Sequence, residues 1–167
     1  GGDRALEGAA GGRADSEETL MDSHWLAWAA GIIDGEGTIH LYRKLRSGGA
    51  QSRHIQLGVI VANTDPKMLA KMKELFGGFV GIQDHGRGRN RICWRWKVAC
   101  HDAEQCLRAI LPWLITKREQ ADIALLSRAL IGRRGVRISD ETVQRQLGLA
   151  HRLSALKWGS SRLEKGA

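Results

Sequence analysis

Cysteine is scarce in this chain of 167 residues: there are three, Cys93, Cys100 and Cys106, an odd number with no C-x-x-C spacing. That pattern argues against a disulfide framework and against the common zinc motifs, and it reads as reduced thiols in an intracellular protein. Long apolar runs are missing as well. No segment reaches the length of a membrane-spanning helix, and no secretory signal is visible. The expected setting is therefore soluble and intracellular, either cytoplasm and nucleoid or an organelle matrix, with no membrane partner. Proline occurs twice, at Pro66 and Pro112. Acids are few where the chain alternates: residues 38–62 and 80–100 hold nine Lys or Arg and one acid, Asp84.

What is present is positive charge, unevenly spread. The net charge is +8, but residues 1–24 carry −4, so residues 25–167 carry +12. A strongly basic globular domain reads first as a nucleic-acid binder, although attraction to anionic membranes or simple solubility would give a similar balance.

Periodicity divides the chain into elements. Residues 1–22 are rich in Gly, Ala and acids without a sustained period, and read as a flexible tail. Residues 23–167 read as one domain, long enough for a real core. Ser23 suits the cap of a first helix from His24 to about Asp34. Thr38–Arg46 and Arg53–Ala62 alternate around Ser47-Gly48-Gly49, which predicts a long hairpin with Ile55, Leu57, Val59 and Val61 on one face. Asp65-Pro66 starts a helix that Gly77-Gly78 ends. Phe79–His85 and Arg91–Ala99 form a second hairpin around Gly86-Arg87-Gly88, with Ile92, Trp94, Trp96 and Val98 sharing a face. Ala103–Leu111 is a short helix interrupted by Pro112, and Lys117–Leu130 is another. A basic loop, Arg133-Arg134-Gly135, leads to a final helix at 140–157. The expectation is an α+β fold of order α-β-β-α-β-β-α with an extra C-terminal helix.

The opposite faces of the two hairpins carry polar chemistry. His40, Tyr42, Lys44 and Arg46 lie on the first strand, with His54, Gln56 and Ile60 on the second. Gln83, His85 and Arg87, then Arg91, Arg95 and Lys97, take the matching positions on the third and fourth. A twisted antiparallel sheet with such a face can enter the DNA major groove, where Arg and Lys serve guanines and phosphates and Gln and His read base edges. A merely solvated sheet face would also be basic. Trp94 and Trp96 alternate with these residues and are expected in the core.

One stretch is more specific. Trp25–Ile39 is an apolar segment that delivers Asp34 and Glu36 near its C-terminal end, where the helix dipole disfavours negative charge. Acids there need something positive nearby, such as a metal ion. Gly31 and Gly35 stand four apart, so another backbone can approach that face. A buried helix ending in a Gly-rich turn would share part of the pattern.

Ala29-Ala30-Gly31-Ile32-Ile33-Asp34-Gly35-Glu36-Gly37 closely resembles the LAGLIDADG nonapeptide of homing endonucleases, with Ala29 in place of the first Leu and Glu36 as the second acid. The likeness continues through about Ile131, and the expected element order is also that family's, whose antiparallel sheet is saddle-shaped. A single motif implies a homodimer, with Gly31 and Gly35 at the interface. The resemblance places a polar residue near the active-site waters on Asn63, within Ile60-Val61-Ala62-Asn63-Thr64-Asp65. It places the catalytic-site lysine on Lys117, within Leu111–Ala121, and a second basic residue on Lys67. Asn63 as a helix cap and Lys117 as an ordinary helix-start cation remain alternative readings of those positions, and Asp34 as a group that only satisfies backbone at the helix end.

The implied activity is Mg²⁺-dependent hydrolysis of double-stranded DNA at a long, roughly palindromic site, leaving short 3′ overhangs. Mn²⁺ is expected to substitute, and Ca²⁺ to bind without cleavage. Glu36 and the Gly35 carbonyl would hold the metal, Asn63 would orient a water, and Lys117 would offset developing charge. The rival readings are an RNA maturase of the same fold, a DNA-binding regulator that does not cut, and a general basic RNA-binding domain.

Overall fold

The computed structural model describes residues 11–45, 48–49, 51–85, 91–131 and 137–158. The turn at Gly86-Arg87-Gly88, the loop at Arg133-Arg134-Gly135, Ser47, and the groove-facing positions expected at Arg46 and Arg87 lie outside these residues. Helix α1 is Gly11–Glu36, followed by strands β1 (Gly37–Leu45) and β2 (Gln51–Asn63). Next come α2 (Pro66–Phe76), β3 (Phe79–Asp84), β4 (Cys93–Ala99) and α3 (Cys100–Ile110). A 3-10 turn at Leu111–Trp113, α4 (Arg118–Ala129) and α5 (Asp140–Trp158) complete the order. This is the α-β-β-α-β-β-α order that the periodicity predicted, followed by α4 and the C-terminal helix α5.

The four strands form one antiparallel sheet in the order β1-β2-β4-β3. The two hairpins are joined through their second strands, Val59 facing Val98 and Val61 facing Trp96. Alternation sends odd residues of β2 inward, and Ile55, Leu57, Val59 and Val61 are all buried. They meet Ala29, Ala30 and Ile33 of α1, Leu69 and Met72 of α2, Cys106, Leu107 and Ile110 of α3, and Ala121 and Ala124 of α4. Trp96 is fully buried and its indole N–H donates to the Gly77 carbonyl at 2.9 Å, which fixes the polar edge of the largest core residue. Trp94 is half-buried against the same cluster. A smaller cluster, Ile123, Leu149 and Leu153, seats α5 on α4 and on Leu41 of β1. Arg53 of β2 pairs with Asp140 at the start of α5, and the buried Gln146 donates to the Ser127 carbonyl at 3.0 Å.

Several boundaries differ from expectation. Helix α1 begins at Gly11, inside the segment expected to be a flexible tail, so Ser23 sits within a helix and does not cap one. Between Arg13 and Ala30 there is neither Gly nor Pro, and Ala, Glu and Leu are strong helix formers, so propensity carries the helix where a hydrophobic period is lacking. At its other end α1 continues two residues past Asp34, to Glu36. Strand β3 stops at Asp84 and β4 starts at Cys93, which leaves His85, Arg91 and Ile92 beyond the strands. Ile92 is 44% exposed, so it does not share the inner face of Trp94 and Trp96. Helix α3 starts at Cys100, three residues early, directly after β4, with Cys100 at φ 54° making the corner.

The junction between α1 and β1 has no loop. A Cβ on Gly37 would lie 2.7 Å from both the Cα and the carbonyl oxygen of Ile33, so only glycine fits there. Gly37→Ala is expected to lower the free energy of unfolding by about 1–3 kcal/mol, because backbone must move to admit the methyl. Gly148→Ala, where nothing lies within 4 Å of the new methyl, is expected to leave it equal or slightly higher. Urea midpoints of the two variants measure the contrast.

Candidate functional site

The C-terminus of α1 and the N-terminus of α4 meet and exchange charged groups. Asp34 accepts hydrogen bonds from the backbone N–H of Ile115 at 2.8 Å and of Lys117 at 2.9 Å, and from the Thr116 hydroxyl at 3.0 Å. In return, the Lys117 ammonium donates to the carbonyls of Ile33 at 2.8 Å and Asp34 at 2.7 Å. Helix ends leave such N–H and C=O groups without partners inside the helix, with a positive field at the start and a negative one at the end. Here each end receives the side chain of opposite charge. Asp34 thus serves backbone groups, but those ahead of α4 and not those of its own helix. The positive partner that the motif's first acid requires is supplied by protein.

Burial pulls the Asp34 carboxyl upward, yet the hydrogen bonds from Ile115, Lys117 and Thr116 together outweigh it and hold the group below its ordinary value. Burial pushes the Lys117 ammonium down, and the charges of Asp34 and Glu36 recover only part of that. Lys117 therefore lies within the field of Glu36.

Glu36 has a different position. Residues two apart on a helix do not share a face, and while Asp34 turns to α4, Glu36 is exposed and makes no hydrogen bond among the described residues. Gly35 is exposed with nothing within 4 Å of its Cα substituent position, and so is Gly31. They make an exposed glycine stripe on α1, flanked by Trp28 and Ile32, which are half-buried against the core.

Asn63 stands at the same end of the sheet. Gly37 pairs with Val61, and β2 runs two residues further, level with the last turn of α1. The Asn63 carboxamide oxygen accepts from the Asp65 N–H at 2.8 Å, and Asp65 in turn caps α2 by accepting from the Lys67 N–H at 2.9 Å. Asn63 therefore organises the turn before α2, and its NH₂ is the part of the side chain that can act on a ligand. Lys67 is exposed on the first turn of α2, with no hydrogen bond or ion pair to Glu36 or Lys117 among the described residues. As a metal site, Glu36 and the Gly35 carbonyl offer oxygen donors, the type a hard divalent cation prefers. Among the described residues no three His, Cys, Asp or Glu side chains gather to hold a metal.

Beside Lys117 lies a cavity of about 440 Å³ lined by Gly37, Thr38, Lys117, Gln120, Ser154 and Lys157. Partial burial lowers the Lys157 ammonium, and the charge of Lys117 lowers it further. Two cations thus share this space, and the buried Gln120 Oε1 has no partner among the described residues. Sequence reasoning missed Lys157 and Gln120. The period of α5 could identify its buried face but not which strand end its last turn reaches.

The outward face of the sheet carries Tyr42 opposite Gln56, and Ile60 between Thr38 and Lys97. Arg95 lies between Ala62 and Gly81 and His54 occupies a further alternating position, while Lys44 and Gln83 sit at register irregularities of β1 and β3. His40 is stacked on Tyr42, with centroids 4.8 Å apart. The facing Gly58 gives them room, since a Cβ there would meet the His40 ring at 2.5 Å. Burial lowers the His40 pKa, the Lys157 charge lowers it further, and a hydrogen bond with Thr38 backbone opposes both. His85 and Arg91 flank the strands as exposed residues and do not continue the alternation. No helix among the described residues is long and apolar enough to cross a membrane.

No protein-family model matches the chain, and no curated protein matches its sequence. Solved structures do. The homing endonuclease I-CvuI, crystallised with the I-CreI target in the presence of Mg and with its own target in the presence of Ca, is similar at 22% identity in both. The first of these alignments covers 84% of this chain and 86% of that one, with a TM-score of 0.68. The archaeal intron-encoded homing endonuclease I-Vdi141I, complexed with DNA, is 17% identical over 82% of this chain and 84% of its own, at 0.60. The LAGLIDADG homing endonuclease I-GzeII, in complex with its DNA target, is 12% identical over 75% of this chain and 43% of its own, at 0.58. Identities this low establish likeness of fold.

The exchange at the helix ends predicts a specific acid response. The Asp34 pKa is depressed in the fold, so its contribution to stability is complete above the ordinary value of 3.8 and is lost as pH falls through the lower folded value. Asp34→Asn should cost about 1–2 kcal/mol at pH 7, toward the low end for charged hydrogen bonds because the group is partly solvated. The gap between variant and wild type should then narrow below about pH 4. Urea midpoints at pH 7 and pH 3 test this, and a gap that is unchanged at pH 3 would show that the charge is not the source.

Proposed function

We propose that this chain, whose fold is that of the LAGLIDADG homing endonucleases, is a site-specific DNA endonuclease that works as a homodimer and hydrolyses phosphodiesters with Mg²⁺. The observation that carries the reading is the contrast between the motif's two acids. Asp34 is consumed by α4, whereas Glu36, two residues on, stays exposed beside an immobilised ammonium and an uncovered glycine stripe. A purely structural helix end would have no use for the second acid there.

Each element then has a task. Two α1 helices pair along Trp28, Gly31, Ile32 and Gly35, since glycine lets the backbones approach. Pairing brings one Glu36 and one Gly35 carbonyl from each chain to the two-fold axis, where phosphate oxygens of the DNA complete the donor set. A divalent cation bound there supplies Lewis-acid stabilisation of the attacking and leaving oxygens. The Asn63 NH₂ orients a water, its carbonyl oxygen being held by the Asp65 N–H. Lys117 spends two donors on α1 carbonyls, so its charge is fixed before substrate arrives and needs no reorganisation to offset negative charge developing on the phosphate. The basic sheet face lies along the major groove, with Arg95, Lys97 and Lys44 toward phosphates and guanines and Gln56, His54 and Gln83 toward base edges. His85 and Arg91, at the strand ends, reach the outer part of the half-site. A two-fold protein reads mirrored half-sites, so the target is roughly palindromic.

Cleavage and assembly are tested separately. On a supercoiled plasmid carrying a site selected from random duplexes, wild-type protein should cut in Mg²⁺. Glu36→Gln should bind that site with similar affinity and cut at least a hundredfold more slowly, a loss on the scale of removing one group aimed at the reacting charge. Cutting by Glu36→Gln would overturn the role given to Glu36. Tight binding by wild type without nicking would replace the nuclease by a binding regulator or maturase.

Gly31→Leu separates folding from pairing, because nothing within the chain lies near that position. Sedimentation should show a folded monomer where wild type is a dimer at micromolar concentration. A wild-type monomer at that concentration would refute the pairing.

A further inference from the structure

We infer that the base pairs nearest the cut are recognised as thymines, through their C5 methyl groups, by Ile60 and Phe79. This deepens the endonuclease reading above and rests on it.

Strand register sets Thr38, Ile60, Lys97 and Phe79 in one row across all four strands. Alternation turns the row outward, because Ile39, Val59, Val61 and Val98, the neighbours along the strands, are buried on the other face. Phe79 is 59% exposed and belongs to neither core cluster. Its ring lies over Gly81, where a Cβ would meet Phe79 Cε1 at 2.5 Å. The missing side chain of Gly81 is therefore what seats the ring. Lys97 Nζ stands 5.5 Å from the ring centroid, and the next row places Arg95 between Ala62 and Gly81. The face is thus apolar with cations on β4 at this end of the sheet, and polar further away, where Tyr42 faces Gln56.

An isoleucine and a phenylalanine form no hydrogen bonds with base edges. In the major groove the apolar feature they can meet is the thymine methyl, while the adjacent Lys97 and Arg95 supply attraction for phosphate or guanine. Thr38 follows Glu36, the last residue of α1, by two residues, so their backbones lie at most about 7 Å apart. That is roughly two base-pair rises, so the apolar row falls beside the scissile positions. The same argument favours DNA over RNA: uracil lacks the methyl, and the major groove of A-form RNA is too deep and narrow for side chains to read.

The experiment uses the intact protein with Ca²⁺ and a site selected from a random duplex pool, with each thymine replaced in turn by deoxyuridine. Thymines flanking the cut should bind about three- to fivefold more weakly as deoxyuridine, the value of one buried methyl group. Ile60→Ala and Phe79→Ala should each abolish that discrimination at one position and leave it intact at thymines elsewhere in the site. Phe79→Leu should retain it. Both side chains lie on the exposed face, and melting curves confirm that the variants fold. Equal binding of thymine and deoxyuridine beside the cut, or discrimination that survives both alanine variants, overturns the inference while leaving the endonuclease reading in place. A pool in which no sequence is enriched overturns both.

Discussion

The exchange of a carboxylate for an ammonium between the end of α1 and the start of α4 is the contact on which the rest of the site depends. Two helix termini with opposite partial charges are brought together, and each is finished by a side chain from the other. The groups involved are exposed or half-buried, so each of these charged hydrogen bonds contributes on the order of 1 kcal/mol. The exchange also joins segments more than eighty residues apart in the chain. It anchors Lys117 at the edge of the cavity that Lys157 also lines, and it uses up Asp34, which leaves Glu36 as the exposed acid of the pair.

The sheet shows the same economy of position. The rows of its inner face that meet α1 to α4 are apolar, so those helices pack there without a buried charge. The outer face is therefore relieved of any duty in folding. Substitutions there alter charge and shape available to a ligand and leave the core untouched. Gly58 and Gly81 are the exceptions, since each makes room for a ring on the outer face, His40 in one case and Phe79 in the other. A side chain at either glycine would rearrange the surface without entering the core.

Much of this was legible in the residues themselves. Alternation at Ile55, Leu57, Val59 and Val61 located β2 and its buried face, and Asp65-Pro66 located the start of α2 with its cap. The nonapeptide pointed to Glu36 and Gly35, and Lys117 does lie in the field of Glu36. What escaped detection depends on contacts between distant segments. Nothing near Asp34 signals that Ile115 and Lys117 will donate to it. Nothing in α5 signals that Lys157 will approach Lys117. The lower part of α1 has helix formers without an amphipathic period, so a reading built on periodicity assigned it no structure. His85 and Arg91 continue an alternation on paper, but β3 ends at Asp84 and β4 begins only at Cys93, so neither lies on a strand.

The absence of any loop between α1 and β1 has a mechanical consequence. Glu36 ends the helix and Gly37 begins the strand, so the segment proposed to meet a second chain and the face proposed to meet DNA are one continuous rigid piece. In a pair of such chains, the helix contact would act as the fulcrum and the strands as its arms. The separation and relative twist of the two arms would follow from the angle at which the helices cross. A single base pair added at the centre of a target would shift and rotate one half-site against the other, and the junction has no slack to follow it. Evolution could then exchange outward side chains freely to change which bases are read. The spacing between half-sites could change only through the helices themselves.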